Sequence, residues 1–129
     1  KNLKHEDSKV RESTANLLKI YNYEGINRIF PYILRLLEDP SEDVRRSMIN
    51  ALVLIINKIG LSKLLNRLLQ NLSDEVSIEL QRSIAKVLKR TAKYSDKEIK
   101  KRIIALLKIR CEMSQDPIIC DSLHQIKES

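Results

Sequence analysis

Three stretches of the chain carry one pattern at identical offsets: Val10-Arg11 with Thr14, Ala15, Leu17 and Leu18; Val44-Arg45 with Met48, Ile49, Ala51 and Leu52; Leu80-Gln81 with Ile84, Ala85, Val87 and Leu88. The leading residues fall 34 and then 36 positions apart, a period at which self-similarity means stacked helical units. A fainter fourth copy, Ile119 with Leu123 and Ile126, follows 39 positions later. A chain built this way offers an extended surface, so its function is sought in surface shape and charge.

At 129 residues the chain suits one domain, and its 43% hydrophobic content is enough for a continuous core. Two glycines and three prolines leave little material for the turns of a β protein, while Leu, Ile, Lys, Arg and Glu dominate, which reads as all-α. The longest apolar run, Ala51 to Ile56, is far short of the roughly 20 residues that span a bilayer. No charged-then-apolar leader opens the sequence, so the expectation is a soluble, intracellular protein, cytoplasmic or nuclear, without a membrane partner. Cys111 and Cys120 match neither a secreted framework nor a zinc spacing. They read as buried reduced thiols; a disulfide is the alternative, because they flank a proposed turn between helices.

Apolar residues recur at helical spacing almost throughout, which predicts seven helices near 7–21, 25–38, 40–58, 61–72, 75–93, 96–113 and 117–127. Asp39 is placed as the cap of the third helix, with Pro40 at its first position, and Lys58 and Gly60 close it. Ser95 and Glu98 have capping-box spacing, and Asp116-Pro117 repeats the Asp-Pro start. Links of a few residues leave no room for crossovers, so the helices pair as antiparallel hairpins. One such face is Ile26, Ile29, Phe30, Ile33, Leu36 and Leu37; another is Leu61, Leu64, Leu65, Leu68, Leu69 and Leu72. No hairpin can bury both of its apolar faces alone, which forces stacking.

From Ile26 to Ile55 the chain shows an apolar pair-and-proline step at Phe30-Pro31, then Leu36-Leu37, Asp39-Pro40, Val44-Arg45 and an apolar ladder to Leu52 and Ile55. This series resembles the HEAT-repeat family, and the resemblance extends over essentially the whole chain. It implies an α-α superhelix of about seven helices in antiparallel hairpins, used for interaction more often than for chemistry. It also implies an inter-repeat ladder of Asp39, Arg11 and Arg45. Gln81 stands where the third copy's Arg belongs and Ile119-Cys120 replaces Val-Arg in the fourth, so the ladder is expected to fail toward the C-terminal end. The first helix corresponds to the second helix of a repeat and residue 1 is Lys. Residues 1–129 are therefore read as a single HEAT-repeat domain, a segment of a longer solenoid or a chain with an unseen N-terminus.

Catalytic signatures do not emerge. There is no Gly-rich phosphate loop, GxSxG, HExxH or paired cysteine motif, which predicts no enzyme activity, no cofactor and no metal. His5 and His124 lie at opposite ends and read as surface side chains. Asp39, Glu42 and Asp43 form an acidic cluster that is read as helix capping. A HEAT-like DNA glycosylase is disfavoured by 4% aromatics and the absence of Trp, since recognition of an exposed base depends on stacking.

Charge is the strongest functional signal. Between Arg82 and Arg110 lie eleven basic residues and two acids, a local net of +9 in a chain of +7. Arg82, Lys86, Lys89, Arg90 and Lys93 share one helix face, opposite Leu80, Ile84 and Val87. The family resemblance implies that this stripe lines the concave groove, while Lys97 and Lys101 on the next helix are expected to face outward. The expected contributors to an anionic site are Arg82, Lys86, Lys89, Arg90, Lys93, Lys97 and Lys101, with Asn50 beside them. Three readings fit: a solvated face, a site for an acidic segment of a protein partner, or a site for nucleic-acid phosphates. Scaffolding by way of a protein partner is the leading functional expectation; the alternative is a nucleic-acid-binding solenoid on the same residues.

Overall fold

The computed structural model describes residues 8–17 and 22–129, with side chains at 8–13 and 22–129. Its helices are α1 (Ser8–Leu17), α2 (Tyr23–Leu37), α3 (Glu42–Ile59), α4 (Leu61–Leu69), α5 (Ile78–Thr91), α6 (Lys97–Ser114) and α7 (Pro117–Glu128), with a 3-10 turn at Ala92–Tyr94. Among the described residues there is no strand and no helix long and apolar enough to cross a membrane. His5, Leu18 and the outer ends of the expected first helix lie outside the described residues.

Two rows of helices result. The second helices of the repeats stack in sequence, α1 on α3, α3 on α5 and α5 on α7, while α2, α4 and α6 pack against that row from the other side. The core lies between the rows. Phe30, Ile33, Leu36 and Leu37 of α2, Met48, Leu52 and Ile55 of α3, Leu64 and Leu68 of α4, and Ile84 and Leu88 of α5 are all buried within it. Each contributes about 1.5–3 kcal/mol relative to exposure. Met48, Leu52, Ile84 and Leu88 among them, with Val44, Ile49, Ala51, Leu80, Ala85 and Val87, are residues that the repeated offsets single out, and all are buried.

Several helix ends differ from the sequence reading. Asp39 does not cap α3, and Pro40 is not its first residue; Ser41 is the cap, accepting from the Val44 N–H. Asp39 instead accepts the Ser41 N–H at 2.9 Å, shaping the turn. Asp96, not Ser95, caps α6 by accepting from Ile99 N–H at 2.9 Å, and the Ser95 hydroxyl turns back to the Ala92 carbonyl. In both places two nearby side chains compete for a cap, and the one immediately before the first helical residue takes it. Asp116 caps α7 with Pro117 following, as expected. Residues 70–77 form a turn rather than helical ends, because Ser77 caps α5 through the Leu80 N–H and the Gln81 amide donates to the Ser73 and Val76 carbonyls at 2.9 and 3.0 Å. Gly60 joins α3 to α4 at φ 98°, a conformation that a side chain would strain. Cys111 and Cys120 are bonded as a disulfide across the α6–α7 turn, with Cα atoms 4.9 Å apart, which corrects the reading as reduced thiols.

The Arg/carboxylate ladder does not fail. Arg11 grips Asp39 with two N–H groups at 2.8 and 3.1 Å, and Arg45 donates to the Asp39 carbonyl at 2.6 Å. Arg45 also pairs with Glu79 at 3.2 Å, Glu79 with Arg82 at 2.7 Å, and Arg82 with Asp116 at 2.7 Å. Arg82, one position past the expected place, replaces the missing Arg, while Gln81 turns inward to hold the 70–77 turn. The Asp39→Ala variant is expected to unfold about 2–4 kcal/mol more easily in urea, because it strips a buried carboxylate from Arg11 and leaves the Ser41 N–H unpaired. A loss below about 0.5 kcal/mol would show that the ladder is ornamental.

Candidate functional site: a charged groove on the second-helix row

A groove of about 400 Å³ lies along α3 and α5, with Ile118 of α7 at one end. Its α5 wall exists because the helix divides cleanly. Leu80, Ile84, Ala85, Val87 and Leu88 enter the core, and Ser83 is anchored there by donating to the Leu37 carbonyl. The remaining face presents Glu79, Arg82, Lys86, Lys89 and Arg90 to the groove. From α3 come Glu42, Arg45, Arg46, Ile49 and Asn50.

Four of the seven sequence-derived cations, Arg82, Lys86, Lys89 and Arg90, line this groove together with Asn50; Lys93, Lys97 and Lys101 do not. Most of the four are already engaged. Arg82 is held by Asp116 and Glu79. Lys89 approaches Asp121 of α7 at 3.7 Å, and Arg90 donates to the Asn50 side-chain oxygen at 2.6 Å. Lys86 has neither an ion pair nor a hydrogen bond from its side chain among the described residues. Of the other three, Lys93 rides over the Tyr94 ring at 5.1 Å, Lys101 pairs loosely with Glu98 at 3.9 Å, and Lys97 stands exposed in the first turn of α6.

Sequence reasoning missed Arg45, Arg46, Glu42 and Glu79 as parts of this site. A signal for them was present: Arg46 occupies in its repeat the offset that Arg82 occupies in the next, and Asn50 the offset of Lys86. Arg46 is paired with Glu42 and Asp43 at 3.4 and 3.0 Å, so these acids serve as ion-pair partners as well as acidic residues at the start of α3.

The strongest electrostatic coupling in the groove wall is Arg82 with Asp116. Hydrogen bonds from Arg82 to Asp116 and to Glu79 raise the guanidinium above its usual value. Burial by itself would raise the Asp116 carboxyl, yet the hydrogen bond from Arg82 and the N–H groups of Ile119 and Ile118 outweigh it and hold the group below its ordinary range. Among the residues lining the groove there is no His or Cys, and its one hydroxyl, on Ser83, donates to the Leu37 carbonyl. What it offers is N–H donors over the apolar atoms of Ile49 and Ile118.

The HEAT-repeat family matches residues 1–89, more than half of the sequence. The chain belongs to the HEAT-repeat family. No curated protein and no solved structure matches it. The match ends within α5, yet the α6–α7 hairpin beyond it continues the same two rows and receives the ladder at Asp116. HEAT repeats are generally scaffolds for protein interaction and typically lack catalysis.

Because folding depresses the Asp116 pKa, its ionised form favours the native state. The contribution is complete above the ordinary carboxylate range and is lost as pH falls through the depressed folded value. Asp116→Asn is expected to lose about 1–3 kcal/mol at neutral pH, with the gap from wild type closing below about pH 4. Urea midpoints across pH 2–7 measure this on the order of those values, and a gap independent of pH would remove Asp116 as the titrating group.

Proposed function

We propose that the protein is a non-catalytic scaffold that docks an acidic segment of a partner protein in the groove along α3 and α5. The observation that carries this reading is Lys86, an unpaired ammonium in a wall whose other cations are occupied, with Arg90 beside it holding only an exposed amide. A partner carboxylate seated between Lys86 and Arg90 satisfies the free donor, while its aliphatic stem rests on Ile49 and Ile118. Arg82 and Lys89 support the wall from their own ion pairs.

The groove favours one or two carboxylates over a continuous polyanion. Glu42, Glu79, Asp116 and Asp121 are interleaved with the cations, and a phosphate backbone laid along the groove would meet them at close range. This distribution argues against the nucleic-acid alternative, because counterion release needs cations that are not already neutralised.

The double variant Lys86→Glu with Arg90→Glu removes the free charge without touching the core. Fluorescence anisotropy with a labelled Glu/Asp-rich peptide at physiological salt is expected to show affinity falling at least about tenfold, or 1.4 kcal/mol, with helicity and urea midpoint unchanged. Unchanged peptide affinity overturns the groove assignment, and preferential binding of duplex DNA overturns the choice of partner.

A further inference from the structure

Un-neutralised positive charge also lies outside the groove. The ladder carboxylates Asp39, Glu79 and Asp116, together with Glu42, Asp43 and Asp121, gather where α3, α5 and α7 begin. No Asp or Glu occurs between Asp43 and Asp74, a stretch that includes the α3–α4 turn. At the opposite ends of α3 and α5, Lys58, Lys93 and Lys97 are exposed and form no ion pair among the described residues. The acids of that neighbourhood are spent: Asp96 caps α6, and Glu98 sits beside Lys101.

Between those same turns is a second cavity of about 290 Å³. Ile56, Leu61 and Ile99 supply apolar wall, Tyr94 stands at its side, and Asn57, Ser62, Thr91 and Ser95 bring polar groups. Tyr94 is 75% exposed, the most exposed of the chain's large hydrophobic side chains among the described residues. Its ring is fixed beneath the Lys93 ammonium at 5.1 Å rather than folded onto the core. Lys58 adjoins Asn57, Lys93 adjoins Tyr94, and Lys97 lies two residues before Ile99, so each wall carries a lysine within two positions of a lining residue.

A pocket of mixed lining, with exposed lysines next in sequence to its lining residues, matches the anatomy of a small protein interface, with an anchor at the centre and charge at the rim. Its volume falls at the bottom of the roughly 300–1,000 Å³ range of small-molecule sites, which suits one side chain better than a cofactor. We propose that this cleft between the α3–α4 and α5–α6 turns is a second docking site, separate from the groove, for a short acidic peptide segment with one large apolar anchor residue. The anchor packs against Ile56, Leu61, Ile99 and the Tyr94 ring. Carboxylates on either side of it meet Lys58, Lys93 and Lys97. The free cations here are lysines, mobile point charges that accept carboxylates without fixed geometry, so the anchor confers the selectivity. A single exposed aromatic offers no succession of platforms for stacked bases, which favours the peptide over a single nucleic-acid strand.

The test compares three labelled probes at physiological salt: an acidic peptide with a central Phe, the same peptide with Ser in its place, and a single-stranded oligonucleotide of equal charge. The Phe peptide is expected to bind at least about tenfold tighter than the Ser peptide. Tyr94→Ala and the Lys93→Glu/Lys97→Glu pair are each expected to erase that advantage, and both leave the core intact. The Lys86→Glu/Arg90→Glu variant is expected to preserve the advantage, because it alters only the groove. Equal binding of the two peptides overturns the proposal, as does preference for the oligonucleotide or an advantage that survives Tyr94→Ala. Loss of the Phe advantage in the groove variant places the anchor in the groove and overturns it as well.

Discussion

The series of ion pairs and hydrogen bonds from Arg11 through Asp39, Arg45, Glu79 and Arg82 to Asp116 runs across the second-helix row and touches every repeat. Apolar stacking supplies most of the stabilisation, but it is tolerant of sliding, because one Leu-lined helix face resembles the next. A guanidinium that must meet a carboxylate on the neighbouring helix is not tolerant in this way. Arg11 is gripped by two oxygens of a carboxylate only 7% exposed, and such a pair is strongly destabilised when either member is displaced. The ladder therefore ties each second helix to the next, and Arg45, Glu79 and Arg82 of the groove wall are members of it.

The same ladder explains where free charge is left. A solenoid of net charge +7 gathers its acids where the second helices begin, and the cations of the groove become the partners of those acids. Lys86 and Arg90 are the exceptions: Arg90 donates to the Asn50 amide oxygen, and Lys86 forms no ion pair among the described residues. At the other ends of the helices Lys58, Lys93 and Lys97 are exposed without an ion pair among the described residues. The two proposed docking surfaces differ accordingly: the groove is built from ion-paired cations around Lys86, and the turn edge carries lysines without ion pairs among the described residues.

Much of the fold was legible in the sequence. Seven helices, their pairing and the core residues follow from apolar spacing, which is local and repeated. Caps were less legible, since Asp39 and Ser41, or Ser95 and Asp96, are equally good in composition and only the backbone at the turn selects between them. The ladder was misread at its C-terminal end because offset was treated as fixed. Gln81 occupies the expected position, but the turn before α5 draws its amide inward, and the next residue, Arg82, reaches the carboxylates.

The candidate site was legible as a charge run and not as a surface. Sequence alone determined a stacked all-α solenoid of HEAT type, with a strongly basic segment from Arg82 to Arg110 and no catalytic constellation, because helical periodicity and residue type are properties of a few turns of chain. Tertiary structure decided which of those cations are neutralised, since their partners lie far away: Asp116 is 34 residues from Arg82 and Asn50 is 40 residues from Arg90. It also decided that Cys111 and Cys120 meet, and that Tyr94 lines a cleft with Ile56, Leu61 and Ile99 from separate turns. Charge is written along the chain, but neutralisation depends on distances of a few ångströms that exist only once the repeats have stacked.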